Sequence, residues 1–331
     1  MVSYMAAATV LRAFAISEGT RALYRRLGNR FGTTRRVHSV LPQYYSIRAA
    51  WLLRMAEKYA LLKPGDRVLE LGTGWLHWEA VVLRLFYDVE AVLFDVWDSR
   101  QLEPLKHYLK QFVAQMLDKG ALNPEQQWRI RTLSRAIQRA ASFEELYQML
   151  GFYFVVDPSG TLHDFPDACF TAIVSGNVLQ HVHKGILPEY IRDVGRLLKP
   201  GGYSLHTIDM GDQLSYYSPQ SPVKNYLRFS ERTWKLLFEN RVQYFNRVQR
   251  PQWLELFQAA GLELVEEQIV RQEIGPIEVS PQYRGLSKPD LECRVMRVVH
   301  RKPWPKPVAM TASRGAAWPY RAPAEAREGR P

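Results

Sequence analysis

The sequence predicts an α/β protein with a doubly wound, mostly parallel seven-stranded sheet and a late antiparallel strand pair. It also predicts a helical insertion and an N-terminal helical segment. Two observations support this class. Short apolar runs, each suited to a buried strand, alternate along the chain with segments of helical periodicity. Several of these runs end in a glycine turn or an acidic residue, as strands do at the ligand-binding edge of open sheets.

Residues 1–45 are predicted to form a basic helical segment. Large apolar residues recur at helical spacing over 6–28, beside several arginines, and Gly28 is expected to stop this helix. The helix can lie on a membrane or another anionic partner. Alternatively, it packs on its own domain and leaves its arginines in water. A second helix is predicted over 44–62.

The main domain is predicted over residues 46–300, and its first strand leads into a glycine turn. Residues 67–75 have the pattern of a short buried strand, a glycine turn and the start of a helix at Trp75. Gly72 and Gly74 let the backbone turn sharply and leave room for a ligand where a Cβ would collide. The N–H groups of the following helix are expected to point at that ligand.

Two later strands end in acids. Asp95 ends one strand about twenty residues after Gly74, the spacing of the acid that hydrogen-bonds a ribose in nucleoside-binding units. Asp157 ends the next strand, which begins at Phe152. Residues 99–150 between them are helical in pattern throughout. This predicts an insertion of two or three helices. Its role stays open between a lid over the site, a dimer surface and an addition without a function in the site.

The rest of the domain continues the alternation and closes with two strands. Residues 210–250 are rich in aromatic residues and arginine and are assigned to the acceptor side of the site. The tail over 301–331, rich in Pro, Ala, Gly and Arg, is predicted to be disordered. The remaining predicted elements are strands over 170–175, 203–209, 262–270 and 292–299, helices over 187–198 and 252–260, and a turn over 199–202.

Positive charge is concentrated at the two ends of the chain, whose net charge is +11. Residues 1–50 hold eight arginines against one glutamate, a net of +7. Residues 301–331 hold seven basic residues against two glutamates, a net of +5, so the part between is nearly neutral. The pattern indicates surface contacts with an anionic membrane or RNA. It does not by itself indicate a nucleic-acid substrate.

The two cysteines, Cys169 and Cys293, offer neither a disulfide framework nor a metal-ligand spacing, so no metal site is expected. No apolar run approaches the ~18 residues of a membrane span. The N-terminus lacks the basic lead-in of a signal peptide. We therefore expect a cytoplasmic protein, peripheral to a membrane if its basic ends bind one.

The order of the elements resembles that of class I S-adenosylmethionine-dependent methyltransferases, which have a Rossmann-like fold. The resemblance covers about residues 63–300. The motifs that carry it, in chain order, are Glu70-Leu71-Gly72-Thr73-Gly74, Asp95, Asp157, Phe165-Pro166-Asp167 with Phe170, and Leu198-Lys199-Pro200-Gly201-Gly202.

The resemblance implies roles for the matching residues. Gly72 and Gly74 approach the methionine part of S-adenosylmethionine, and Glu70 orients that site. Asp95 accepts hydrogen bonds from the two ribose hydroxyls, and Asp157 accepts one from the adenine amino group. The segment from Ser175 to His181 lines the cofactor and the acceptor. The implied cofactor-binding residues are therefore Glu70, Gly72, Thr73, Gly74, Asp95, Asp157 and Asn177.

This sequence departs from the family pattern in two places. Leu76 stands where many members carry a third glycine, and the long insertion separates Asp95 from Asp157. Two other functions stay open. A nicotinamide dehydrogenase would need a glycine at position 77, where the chain has His77. The second open function is that of a non-catalytic relative that only binds the cofactor.

Three residues at the ends of strands are candidates for a general base. If the acceptor is a hydroxyl, a base helps to remove its proton. His181 is the first choice, and His183 and Asp209 are the alternatives. No Asn/Asp-Pro-Pro-aromatic sequence follows the fourth strand, which argues against nucleobase amino groups. A small-molecule, glycan or lipid-linked acceptor is predicted, with RNA or protein as the alternative.

Overall fold

The computed structural model describes residues 2–118, 120–218 and 220–305. Within them the chain forms one mixed sheet whose strands have the order β3-β2-β1-β4-β5-β7-β6. Strand β7 pairs antiparallel with β5 and β6, and the other neighbours are parallel. The predicted fold class is confirmed. The strands are β1 (Asp66–Leu71), β2 (Val89–Asp95), β3 (Phe152–Val156), β4 (Phe170–Gly176), β5 (Leu198–Asp209), β6 (Glu263–Arg271) and β7 (Cys293–Arg301).

Helices cover the sheet and form the N-terminal segment. No helix in the described part of the chain is long and apolar enough to cross a membrane. The helices are α1 (Val2–Phe14), α2 (Glu18–Val37), α3 (Gln43–Lys58), α4 (Trp78–Phe86), α5 (Leu102–Asp118), α6 (Pro124–Arg139), α7 (Phe143–Leu150), α8 (Leu187–Leu197), α9 (Glu231–Leu237), α10 (Arg250–Ala259) and α11 (Lys288–Glu292).

The predicted single helix over 6–28 is wrong, because α1 ends at Phe14 and α2 starts at Glu18. Ser17 caps α2 through a reciprocal pair of hydrogen bonds with Thr20, which fixes the helix start. Gly28 does not stop the helix but lies exposed inside α2. An isolated glycine in a helix interior costs only about 1 kcal/mol relative to alanine.

Two further boundaries differ from the prediction. Helix α4 begins at Trp78, not Trp75, because His77 adopts the left-handed conformation (φ +48°) and interrupts the turn. The predicted turn over 199–202 lies inside strand β5, as an irregularity in its pairing with β4. Gly201, with φ +77°, forms this bulge.

The predicted tail falls mostly outside the described residues, since 306–331 are not described. Of its first residues, Arg301 ends β7. The Lys302 N–H donates to the Gly202 carbonyl at 2.8 Å, so the described part of this segment pairs with the start of β5.

The aromatic residues of the 210–250 region mostly pack against α1. Tyr226, Trp234, Phe238 and Phe245 are buried and form an apolar cluster with Tyr4. Their ring contacts are mainly edge-on or tilted, the arrangements that aromatic pairs favour. The region is therefore largely a second core that anchors the N-terminal helix.

Asp212 is the polar centre of this second core. The Tyr4 hydroxyl donates to its Oδ2 at 2.6 Å, and the Tyr226 N–H donates to the same oxygen at 2.9 Å. Burial raises the pKa of Asp212 to about 7. A carboxyl group with a raised pKa stabilises the folded state below its unfolded pKa of about 4 and loses that contribution as the pH rises to about 7.

We therefore expect the contribution of Asp212 to the free energy of unfolding to be a few kcal/mol smaller at about pH 7 than at about pH 4. Asp212→Asn should lack this part of the pH dependence, because the amide does not ionise. Urea denaturation of both proteins across this pH range measures the difference. If the free energies of unfolding of the two proteins changed with pH in parallel, the raised pKa assigned to Asp212 would be wrong.

Candidate functional site

The carboxyl ends of β1, β2 and β4 meet at one edge of the sheet. Leu71 of β1 lies beside Phe94 of β2, and Glu70 lies beside Val174 of β4. The residues that follow these strands are therefore neighbours, although they are far apart in sequence. Ligands of open α/β sheets bind at this edge.

The glycine turn after β1 is held by β2. Gly72 and Gly74 have φ values of +61° and +58°, which residues with a Cβ rarely adopt. The Gly72 N–H donates to the Phe94 carbonyl at 2.8 Å. A Cβ on Gly72 would collide with the side chain of Val178, whereas a Cβ on Gly74 would meet nothing closer than 3.9 Å. Gly72 is thus needed for contact with the loop after β4, and Gly74 leaves open space.

Asp95 joins β2 to this turn. Its carboxylate accepts from the Gly74 N–H at 2.8 Å and from the Val96 N–H at 2.7 Å. Burial is the main influence on its pKa and raises it, while these N–H donors oppose the rise. Each oxygen keeps acceptor capacity beyond one such hydrogen bond. Asp95 can therefore receive hydroxyl donors while it stays fixed to the turn.

Buried polar atoms without a partner in the described structure include Oγ1 of Thr73 and Oδ1 of Asn177 at the same edge. Asn177 has φ +62°, and its N–H donates to the Thr207 carbonyl at 2.8 Å. A buried polar atom without a partner needs an explanation, and an ordered water or a bound ligand is one of them. This pair, with Asp95, fits a ligand that offers several polar groups.

Glu70 lies beneath the turn. It is almost fully buried, and its Oε2 accepts from the Ala80 N–H of α4 at 2.7 Å. Burial, and then the nearby Glu79 carboxylate, raise the pKa of Glu70. Glu79 is paired with Arg48 at 2.8 Å. Glu70 therefore fixes the turn from below by holding the start of α4.

Asp157 follows the edge strand β3. Its N–H donates to the Asp95 carbonyl at 3.0 Å, so the two predicted acids lie side by side despite the insertion between them. The Asp157 carboxylate accepts from the N–H and the hydroxyl of Ser159 at 2.9 and 2.6 Å. These hydrogen bonds lower the pKa of Asp157, which keeps it an ionised acceptor.

The three candidate bases lie in different surroundings. His181 is exposed, and its Nδ1 is 2.7 Å from the Tyr244 carbonyl oxygen. His183 stacks on the Tyr244 ring, and its Nδ1 accepts from the Gly185 N–H at 3.2 Å. Asp209 is paired with Arg294 at 2.8 Å. Only the two histidines come from the loop after β4.

A cleft of about 360 Å³ opens beside His183. It lies between the end of α1 and the segment after α9. Its polar lining is formed by Arg12, His183, Glu239, Asn240, Arg241 and Tyr244. The cleft carries two arginines against one glutamate, so an occupant with an anionic group fits it better than a cationic one.

The sequence analysis did not predict the role of His77. Burial lowers the pKa of His77 to about 3, so the ring is neutral, and its Nε2 lies 2.7 Å from the Tyr147 hydroxyl. Tyr147 belongs to α7, so the insertion braces the start of α4. The sequence offers no signal for this contact apart from an imidazole where a dinucleotide-binding turn would have a glycine.

Helix α2 also contacts the site, which the sequence did not indicate. The Arg36 guanidinium lies 3.5 Å from the centre of the Trp75 ring, directly after the glycine turn. Arg25 lies 5.1 Å from the ring of Trp97, two residues after Asp95. Both contacts are cation–π interactions. The helix thereby holds the two loops that carry the turn and the acid.

Residues 42–267 match the sequence model of the family described as "Methyltransferase domain". This match covers more than half of the chain. The chain belongs to this methyltransferase family. It is a class I S-adenosylmethionine-dependent methyltransferase, and the dehydrogenase alternative is set aside. Searching the curated proteins gave no significant match.

Solved structures resemble this methyltransferase only distantly. The [4+2]-cyclase SpnF is 16% identical, with 81% of this chain and 85% of that chain covered and a TM-score of 0.43. Phosphoethanolamine N-methyltransferase 2 of Haemonchus contortus, in complex with S-adenosyl-L-methionine, is 14% identical, with coverages of 77% and 52% and a TM-score of 0.43. The 1,6-didemethyltoxoflavin-N1-methyltransferase of Burkholderia thailandensis is 16% identical, with coverages of 78% and 78% and a TM-score of 0.41.

Proposed function

We propose that this methyltransferase acts on a small-molecule, glycan or lipid-linked acceptor. The observation that supports the acceptor class is the cleft of about 360 Å³ beside His183, and the polar arrangement at the sheet edge supports the cofactor site. Asp95 is fixed to the Gly74 N–H at 2.8 Å, beside the unpartnered polar atoms of Thr73 and Asn177. When bound there, S-adenosylmethionine supplies a methyl group activated by its sulfonium.

Each residue of the proposed cofactor site has a distinct role. Gly72 and Gly74 shape the turn, and Glu70 holds it from below. Asp95 accepts from ribose hydroxyls and Asp157 from the adenine amino group, while the side chains of Thr73 and Asn177 complete the polar lining. Asp95 and Asp157 suit neighbouring parts of one nucleoside, because their backbones are joined by a hydrogen bond of 3.0 Å.

Among the three candidate bases, the hydrogen bonding favours His181. A carbonyl oxygen only accepts, so His181 must carry its proton on Nδ1, facing Tyr244. Neutral His181 then has its Nε2 lone pair free to accept the proton of an acceptor hydroxyl. His183 accepts on Nδ1, so its neutral form carries the proton on Nε2. The Asp209 carboxylate is held in an ion pair with Arg294, so it is less available as a base.

The cleft beside His183 suits the acceptor. Its volume of about 360 Å³ lies within the range of small-molecule sites. His183 and Tyr244 line it, and the Tyr244 carbonyl also orients the proposed base. Arg12 and Arg241 would attract a phosphate or carboxylate on the acceptor.

A radiolabelled-methyl screen tests the acceptor class. The protein is incubated with labelled S-adenosylmethionine and separate lipid, glycan, small-molecule, RNA and protein fractions of the source cell. Label in the lipid, glycan or small-molecule fraction supports the proposal. Label confined to RNA or protein overturns it. Cofactor binding without transfer to any fraction indicates a non-catalytic relative.

We expect His181→Gln to lower the turnover rate by about a hundredfold or more, because general bases contribute factors of this size. Affinity for S-adenosylmethionine should stay unchanged, since His181 is assigned to the acceptor. His183→Gln is the matched control, with a smaller effect on turnover. Single-turnover rates measure both. Equal losses in the two variants would contradict the choice of His181.

A further inference from the structure

Helix α2 has an outer face that nothing in the described structure covers. The helix has 20 residues, and none of them is buried. Residues on one side contact the site loops, as Arg25 and Arg36 do. The opposite side is exposed, and its larger residues recur at spacings of three and four along the helix, as one helical face requires. This outer face consists of Leu23, Arg26, Leu27, Arg30, Phe31 and Arg35.

The outer face is apolar along its middle and basic along its edges. Leu23, Leu27 and Phe31 are 49%, 39% and 69% exposed and follow one another every four residues. The outer arginines, Arg26, Arg30 and Arg35, have no carboxylate partner among the described residues. A helix with apolar and basic residues arranged in this way suits the interface between headgroups and acyl chains.

Exposed apolar residues continue beyond both ends of α2. Ile16, just before it, is 80% exposed, and Val40, just after it, is 78% exposed. Ile16 also lines the cleft beside His183, so the apolar stripe consists of Leu23, Leu27 and Phe31 on the helix, which is about 30 Å long at 1.5 Å per residue. The acidic residue of the helix, Glu18, lies in its first turn and is paired with Arg21. No acid opposes contact along the rest of the face.

We propose that the outer face of α2 docks on the surface of an anionic lipid bilayer. The apolar stripe enters the headgroup region while the outer arginines meet lipid phosphates. RNA would use the arginines but leave the three apolar side chains without a role. The inference concerns this surface alone and does not depend on which acceptor is methylated.

The test uses the full chain with vesicles of phosphatidylcholine alone and of phosphatidylcholine mixed with phosphatidylglycerol. Binding is measured by co-sedimentation. We expect binding to the mixed vesicles, release at high salt, and weak or no binding to neutral vesicles. Each basic residue near an anionic surface contributes roughly fivefold to affinity, so changing the three outer arginines to Gln should weaken binding about a hundredfold.

Helix α6 provides a matched control. Arg131, Arg135 and Arg139 are also exposed and follow one another every four residues. Changing these three to Gln alters the net charge by the same amount and should have a much smaller effect. If both triple variants lose binding equally, only total charge matters and the proposal fails.

A second pair of variants tests the apolar stripe. Phe31→Ser should weaken vesicle binding about tenfold or more, because an aromatic side chain no longer enters the interface. Trp128→Ser on α6, where the side chain is 68% exposed, should have little effect. All substituted side chains are exposed, and circular dichroism confirms that the variants fold. Absence of vesicle binding overturns the proposal, as does RNA binding that requires the outer arginines but not Phe31.

Discussion

Asp95→Ala is expected to weaken the binding of S-adenosylmethionine by about a hundredfold or more. The substitution removes a charged acceptor, and each hydrogen bond to a charged group is worth about 1.5–3 kcal/mol. It also frees the Gly74 N–H, now held at 2.8 Å, so the glycine turn loses its fixed position. Isothermal calorimetry measures the affinity.

Asp88→Ala is the matched control for this experiment. Asp88 directly precedes the opposite end of strand β2, and it is ion-paired with Arg84 and Arg129 at 2.9 and 3.4 Å. The same substitution there should leave the affinity nearly unchanged. If Asp95→Ala binds the cofactor normally while remaining folded, the assignment of Asp95 to the ribose is wrong.

Gly72→Ala should lower the free energy of unfolding by about 2–4 kcal/mol. Part of this cost comes from holding alanine at positive φ, and the rest from overpacking against Val178. Gly74→Ala has a similar φ but meets open space, so it should cost only about 1–2 kcal/mol. Denaturant unfolding of the two variants measures the difference.

A double variant separates the two causes. Val178→Ala removes the methyl groups that collide with the new Cβ, so it should restore part of the stability of Gly72→Ala. The strain at positive φ remains. Equal stabilities for the Gly72 and Gly74 variants, or no recovery in the double variant, would show that Val178 does not pack over the turn as described.

Much of the sheet could be predicted from local sequence. The apolar runs before Gly72 and Asp95 are strands, because a run flanked by turns and buried on both faces has few other stable arrangements. The run before Asp157 is also a strand, although it lies at the edge of the sheet and is only partly buried. The acids end up together because parallel strands bring their carboxyl ends to one edge. The long insertion did not alter this, since its helices pack outside the sheet.

The contacts between distant elements could not be predicted. Nothing in the local pattern indicates that Arg36 covers Trp75, or that His77 bonds to Tyr147, because such pairs depend on tertiary packing. The prediction of where the N-terminal helix ends was wrong for a related reason. Gly28 looked like a stop, but packing and the Ser17 cap decided where the helices break. The proton positions on His181 and His183 likewise required knowledge of their partners.

The hydrogen bond between Tyr4 and Asp212 joins residues 208 positions apart. During synthesis on a ribosome, the chain emerges from its N-terminus, so α1 cannot dock until the region up to Tyr283, which completes its apolar cluster, has been made. Helix α1 therefore has no apolar partners while strands β1 to β5 assemble, whereas α2 can already contact Trp75 and Trp97. The order of synthesis thus lets the basic helix α2 dock on the sheet before the apolar helix α1.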